Sequence, residues 1–258
     1  IPGTPFFSSI PFGMTSYEQD AWLRYGGGNE LWRELYAPFN LIPVRGGNSG
    51  VQMFGWFNKE INSLEDLQGL TMRIPSLGGE VFRRAGGVPV TMQVSEVFTA
   101  LQTGALDATE FVSPYNDLAA GYHTVADYYY YPGWHEPGST LETIFNKERF
   151  ESLPIDLQEI LMAGTEIMNQ LLLDELMARN NEALRVLVEE HGVQLRKLPD
   201  DVLTELHRIS EEVVAEMALV DEQTTRVFES WRDFRDNVIN YNRIAEEAFI
   251  EARNLPLN

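Results

Sequence analysis

The residues able to do chemistry are few: one guanidinium, two carboxylates and an amide. Between Asp107 and Glu136 the chain reads DATEFVSPYNDLAAGYHTVADYYYYPGWHE, where Glu110 and Glu136 lie among Phe, Tyr and Trp residues. Pro-Tyr and Pro-Gly-Trp interrupt it where ordinary strands would continue, so it reads as a lined pocket rather than a surface loop. Upstream, Arg73 closes the run LTMR, and Gln52 is the one polar residue in VQMFGWF. The side-chain oxygens of Gln52, Glu110 and Glu136, with a backbone carbonyl beside Glu110, are of the kind that hard cations prefer. Two carboxylates, one guanidinium and one bound monocarboxylate leave two negative charges uncompensated. A divalent cation brings that sum to zero, and sodium leaves one.

Other chemistries find no residues. The chain has no cysteine, which excludes disulfides, thiolate metal sites and Cys nucleophiles. Its four histidines, His123, His135, His191 and His207, form no i, i+4 pair and no HExxH, so the usual zinc site is not supported. No P-loop or GxSxG elbow occurs, and GGGNE lacks both the GxGxxG spacing and a preceding strand. A formal charge of −20, from 39 acidic and 19 basic residues, argues against nucleic acid or an anionic membrane as partner. No apolar run of about eighteen residues and no basic leader with an apolar segment is visible. The opening IPGTPFFSSIPFG reads like the inside of a domain, so residues are expected before Ile1.

The elements that must position these groups follow from periodicity and caps. Thr15 and Glu18 have capping-box spacing before a helix that ends at the glycines 26 to 28, and Asn29 is the expected cap of a second. RGGNSG at 45 to 50 reads as a turn, and VQMFGWF as a strand. From Ser63 strands and helices alternate: SLEDLQ, LTMRI, GEVFRRAG, VPVTM, SEVFTALQ, ALDATEFV. Such alternation predicts parallel strands with crossover helices, whose carboxyl ends gather ligands. Arg73 and Glu110 then share one rim, as a binding pair, a structural ion pair or two solvated side chains.

TLETIFN is the strand expected to return the chain to the first lobe. A helix from Pro154 to Glu190, roughly 50 Å at ~1.5 Å per residue, ends at Gly192, with Leu157, Ile160, Leu161, Met168, Leu171, Leu172, Glu175 and Leu176 as its expected buried stripe. The strand VQLRKL and a helix from Asp200 follow. In the last helix Val227, Trp231, Phe234, Val238, Tyr241, Ala245 and Ala248 keep a 3.5-residue seam, which fits packing on its own chain or on a second subunit.

LTMRIPSLGGEVFRRAGGVPV, ATEFVSPYND and YYYYPGWHE together resemble the solute receptors of tripartite ATP-independent periplasmic (TRAP) transporters, in the branch that takes 2-oxo acids and lactate. The similarity runs from PFGMTSYEQDAWLRYGGGNELW to the Leu-Pro before the long helix. It implies an α/β, two-lobed periplasmic-binding-protein fold with a long connecting helix and a long C-terminal helix. Lobe I would comprise 1–50 and 139–180, without the family's initial strand and helix region. Lobe II would comprise 51–138 and 181–258, ending in a dimerisation helix.

By resemblance Arg73 holds the substrate carboxylate as a planar fork, with Gln52, Phe111 and Trp134 completing the substrate set. Gln52, Glu110, the main chain of Phe111 and Glu136 hold a bridging calcium, or alternatively sodium. The family commonly carries Trp after the glutamate and a second aromatic before the last one. Phe111 and His135 stand there instead, which leaves a carbonyl ligand intact but alters pocket shape. The expected function is a non-enzymatic periplasmic receptor for a short 2-oxo or 2-hydroxy monocarboxylate, working with membrane permease subunits as a swapped-helix homodimer. The alternatives are a metal-dependent enzyme acting on 2-oxo acids, with His135 its one candidate base, and a sugar or amino-acid receptor, which leaves two pocket carboxylates and Arg73 unexplained.

Overall fold

The computed structural model describes residues 1–256, so the last two positions of the expected second lobe, 257–258, lie outside the described residues. The first lobe opens with α1 (Pro5–Ser8), α2 (Ser16–Tyr25), α3 (Gly28–Tyr36) and strand β1 (Leu41–Asn48). The chain then crosses to β2 (Gly55–Phe57), β3 (Thr71–Arg73), α4 (Ser76–Arg84), β4 (Val88–Val90), α5 (Val94–Thr103), β5 (Ala108–Thr109), α6 (Pro114–Ala120) and β6 (Tyr128–Tyr131). It returns through β7 (Thr140–Asn146) and α7 (Lys147–Glu151) to the long α8 (Ile155–Arg185). Strand β8 (Gln194–Lys197) and helices α9 (Asp200–Ala218), α10 (Glu222–Ile244) and α11 (Glu246–Arg253) complete it. Among the described residues no helix is long and apolar enough to cross a membrane.

The capping box forms as expected: the Glu18 carboxylate accepts from the Thr15 N–H at 2.8 Å. Gly27, not Asn29, precedes α3, at a φ of 87° that favours a residue without Cβ. The expected turn at 45 to 50 is instead largely strand. β1 runs through Gly46 and Gly47 because β7 pairs antiparallel along it, and a Cβ on Gly46 would lie 2.1 Å from the Thr143 hydroxyl.

The second lobe holds a six-stranded sheet in the order β4-β3-β5-β2-β6-β8. β3 is parallel to β4 and β5, and β6 to β8, but β2 runs antiparallel to both its neighbours. The parallel pairing expected of the segments after Ser63 is what β3, β4 and β5 form; β2, before that alternation, arrives directly from the other lobe, and no crossover helix fixes its direction. Only Gly55–Phe57 of VQMFGWF joins the sheet. Residues 52 to 54 bond instead to three separate segments, at Glu136, Val112 and Tyr130.

Side chains alternate across this sheet with the strand period of two. Phe57 and Tyr130 enter a core with Met72, Phe82 and Leu206, while Trp56 and Tyr129 enter another with Val97, Leu101 and Leu187. The tyrosine run is thus a central strand filling both cores, not the pocket lining expected of it.

A third core joins α1 to α3 with Val227 and Trp231 of α10. α8 packs on β1 in one lobe and α6 in the other, as a connecting helix should. Of the expected stripe only Leu176 is buried: it faces inward with Thr165, Asn169 and Ala183, while Ile160 and Leu171 are 64% and 55% exposed. Polar pairing selects that face. Buried Arg45 donates to Glu166 at 2.7 Å, and Asn169 to Asp20 at 2.8 Å.

Candidate functional site

Two chain segments cross side by side between the lobes, 49–54 outward and 132–139 back. They are laced by the Ser49 N–H to the Ser139 carbonyl at 3.0 Å, the Gln52 N–H to the Glu136 carbonyl at 3.2 Å and the Gly133 N–H to the Gln52 carbonyl at 2.9 Å. Gly133 is required for that closeness, since a Cβ there would lie 2.2 Å from the Gln52 carbonyl oxygen. The Tyr131–Pro132 peptide just before it is cis.

Gln52 is buried on this crossing. Its amide nitrogen donates to the Glu136 carboxylate at 2.6 Å and to the Ser49 hydroxyl at 3.2 Å, while its amide oxygen is buried with no partner. The Ser139 hydroxyl also donates to Glu136, at 2.6 Å. Burial, with the nearby Glu110 charge adding to it, pushes the Glu136 carboxyl above its usual range, although His135, Ser139 and Arg73 pull the other way.

The second pair stands on the sheet rim. Arg73 ends β3, and Glu110, 2% exposed, follows β5 directly. The backbones join there through the Glu110 N–H and the Arg73 carbonyl at 3.1 Å. The guanidinium is ion-paired to the Glu110 carboxylate and donates to the Glu110 carbonyl at 3.3 Å. Of the three relations expected between these residues, the side chains form the ion pair.

His135 links the two pairs and belongs to neither set read from the sequence. It is 3% exposed, its Nε2 lies 3.6 Å from a Glu110 carboxylate oxygen, and neither ring nitrogen has a hydrogen-bond partner. Of the aromatic members of the expected substrate set, Trp134 meets the His135 ring edge-on at 5.6 Å. The Phe111 ring meets Tyr122 edge-on at 5.6 Å, and Trp134 is sandwiched between Phe12 and Phe54 at 5.7 and 5.6 Å. Beside the cluster opens a cavity of about 430 Å³, reached from the site by His135 and Glu136 and walled by Phe7, Trp32, Tyr36 and Leu77. Tyr36 donates to Glu142 at 2.8 Å there; burial, with that carboxylate, pushes its hydroxyl up to about 12.

Sequence reasoning also missed Asp117, a wholly buried carboxylate behind the rim. It accepts from Trp56 at 3.0 Å, Tyr129 at 2.7 Å and the Val112 N–H at 3.2 Å, and burial pushes its carboxyl up to about 7. Its place in the first turn of α6 reads in sequence as an ordinary helix-start acid.

The donors fit a hard cation. Glu110, Glu136 and Gln52 offer oxygen only, and the orphaned Gln52 amide oxygen is an acceptor awaiting a positive partner. Among the described residues no three His, Asp or Glu side chains converge as a metal-binding group, so a cation here depends on amide and main-chain oxygen as well.

Residues 3–221 match the family of bacterial extracellular solute-binding proteins, family 7. A monocarboxylate 2-oxoacid-binding periplasmic protein of Nostoc is 40% identical over 248 residues, which are 96% of this chain and 68% of the relative. Among solved structures, a TRAP periplasmic solute-binding protein of Colwellia psychrerythraea with bound calcium and pyruvate superposes with a TM-score of 0.93 at 38% identity, covering 96% of this chain and 76% of its own. One from Pseudoalteromonas atlantica, with sodium and pyruvate, gives 0.91 at 39%, covering 96% and 75%. One from Bordetella bronchiseptica, a mixed-occupancy dimer with calcium and picolinate, gives 0.94 at 33%, covering 97% and 74%.

Proposed function

The chain belongs to the family 7 extracellular solute-binding proteins, the receptors of TRAP transporters, and from that premise we propose that it is a periplasmic receptor for a short 2-oxo or 2-hydroxy monocarboxylate of the pyruvate or lactate type. One observation carries the reading: Gln52, a buried amide tied through its nitrogen to Glu136, keeps its oxygen free of any partner beside two carboxylates. The calcium, sodium and pyruvate of the related structures agree with it.

Gln52, Glu110, the Phe111 carbonyl and Glu136 would hold calcium, with sodium as the alternative. When bound, the cation would supply a chelate for one carboxylate oxygen and the adjacent oxo or hydroxyl oxygen, which a simple fatty acid lacks. Arg73 then serves the acid's carboxylate in place of Glu110, since a guanidinium has donors enough for a planar fork. His135 stands beside Glu110, its Nε2 3.6 Å from a carboxylate oxygen. As a receptor the chain returns the acid unchanged to membrane permease subunits.

Titrating pyruvate and lactate into chelator-treated protein, with and without calcium and with a sodium-only arm, tests this. Tight binding that appears with calcium alone supports the full reading. Binding with sodium alone replaces the metal, and no binding in any arm rejects the ligand class. Turnover of pyruvate followed by NMR in the calcium arm would instead favour the enzyme.

A further inference from the structure

Asp117 is 0% exposed, and among the described residues no lysine or arginine pairs with it. A buried carboxylate without a cation is costly, and a well-packed apolar side chain would cost less. What it has is three donors in fixed places. Trp56 and Tyr129, on adjacent strands and stacked at 4.1 Å, both donate to Oδ2, so the sheet clamps that oxygen. The other oxygen, Oδ1, takes the Val112 N–H.

That N–H shares a peptide unit with the Phe111 carbonyl. The unit is trans, the chain's one cis bond being Tyr131–Pro132 among the described residues, and a trans peptide points its N–H and C=O in opposite directions. Fixing the Val112 N–H on Asp117 therefore aims the Phe111 carbonyl away from it. The far side of Val112 is held as well, since its own carbonyl accepts from the Met53 N–H at 3.1 Å. A charged acceptor on the N–H also polarises the carbonyl at the other end, making its oxygen a better ligand.

We propose that Asp117 is a positioning residue of the cation site, aiming and polarising the Phe111 carbonyl through the Val112 N–H. This rests on the reading of that carbonyl as a cation ligand. In Asp117→Asn the single amide oxygen serves the two donors Trp56 and Tyr129, which leaves the NH2 group facing the Val112 N–H, so the Val112 anchor is lost.

The test compares Asp117→Asn, Asp117→Ala and Tyr129→Phe with the wild-type protein at pH 8, by calcium titration, thermal unfolding and the luminescence lifetime of bound terbium in H2O and D2O. Both Asp117 variants are expected to weaken calcium binding by about tenfold or more. Their bound terbium gains about one water in place of the lost carbonyl. Tyr129→Phe, which leaves the Val112 anchor and the Trp56 donor in place, is expected to lose stability yet keep calcium affinity within about threefold. Folded Asp117 variants with wild-type calcium affinity and terbium hydration would overturn the proposal. So would an equal loss of calcium affinity in Tyr129→Phe, which marks general loosening, or failure of both Asp117 variants to fold, which marks a folding determinant. A wild-type protein that binds neither calcium nor terbium removes the underlying cation reading, and with it this role; that failure shows before any variant is made.

Discussion

Arg73 engages Glu110 twice, pairing with its carboxylate and donating to its carbonyl at 3.3 Å, while the Glu110 N–H returns a bond to the Arg73 carbonyl at 3.1 Å. The guanidinium is thus the counter-charge of a carboxylate proposed as a cation ligand. Acid and cation are then linked through one pair, and linkage is reciprocal.

Arg73→Met is expected to weaken pyruvate binding by about 2–5 kcal/mol, the usual cost of removing one member of a desolvated charge pair. Arg73→Lys restores little, because an ammonium cannot reproduce the fork. Calorimetry in saturating calcium reads both, and a Kd for Arg73→Met within threefold of the parent would remove Arg73 from the site.

Calcium at a hundredfold excess over its Kd is expected to stabilise the protein by about 2.7 kcal/mol. Glu136→Gln abolishes most of that gain. Unfolding in denaturant with calcium or chelator measures it, and an unchanged gain in Glu136→Gln would exclude that ligand.

Gly133→Ala places a Cβ 2.2 Å from the Gln52 carbonyl oxygen. The crossing segments must then part, and Gln52 moves with them. Cation affinity is expected to fall by tenfold or more, about 1.4 kcal/mol, and wild-type affinity would show that the lacing does not set the site.

Asp117 gives a pH dependence of stability. Burial raises its folded-state carboxyl to about 7 from 3.8, so the native state holds a proton that the unfolded chain has released. That contribution is fully present below about pH 4 and is lost as pH rises through about 7. Melting of chelator-treated protein between pH 5 and 8 should show this fall in the wild type and not in Asp117→Asn; parallel curves would place the titration elsewhere.

The terminal seam divides in two. Val227 and Trp231 are wholly buried in the core shared with α1 to α3, whereas Tyr241 is 63% exposed and Ala248 is exposed, with Ile244 and Phe249 beside them 78% and 64% exposed, and the expected single helix breaks at Ala245 into α10 and α11. The expected homodimer would place this outer half against a second copy. Removing residues 241–258, rather than the whole helix, should give a folded monomer by sedimentation, and a truncated protein that still dimerises would refute the pairing.

Much of this was readable because local signals and tertiary context agree. The box at Thr15 and Glu18 and the alternation after Ser63 each name an element that forms. The reading failed where a distant partner decides. Gly46 and Gly47 become strand because β7 covers them, and the first half of α8 turns Leu157, Ile160, Leu161 and Leu171 outward because Arg45 and Asp20 claim Glu166 and Asn169. Tyr129 and Tyr130 look like pocket residues in sequence, and only the sheet order puts them in its middle. At the site, residue types pointed to Arg73, Glu110, Gln52 and Glu136, and the chain brings them together as two pairs. His135 was singled out only as a departure that alters pocket shape and as a candidate base, and Asp117 escaped, since a lone histidine and a helix-start acid carry no mark of burial.

The crossing segments have a mechanical side. Atoms near a pivot travel least when the bodies joined there swing. Gln52 and Glu136 sit on two of the segments that link the lobes, α8 being a third, while Arg73 and Glu110 stand on the sheet rim of one lobe. A cation seated chiefly on the first pair would ride the fulcrum and feel little of the swing, whereas an acid stretched toward Arg73 lies on the lever arm. Opening of the lobes would accordingly loosen the acid before the metal, letting one resident ion serve many rounds of delivery.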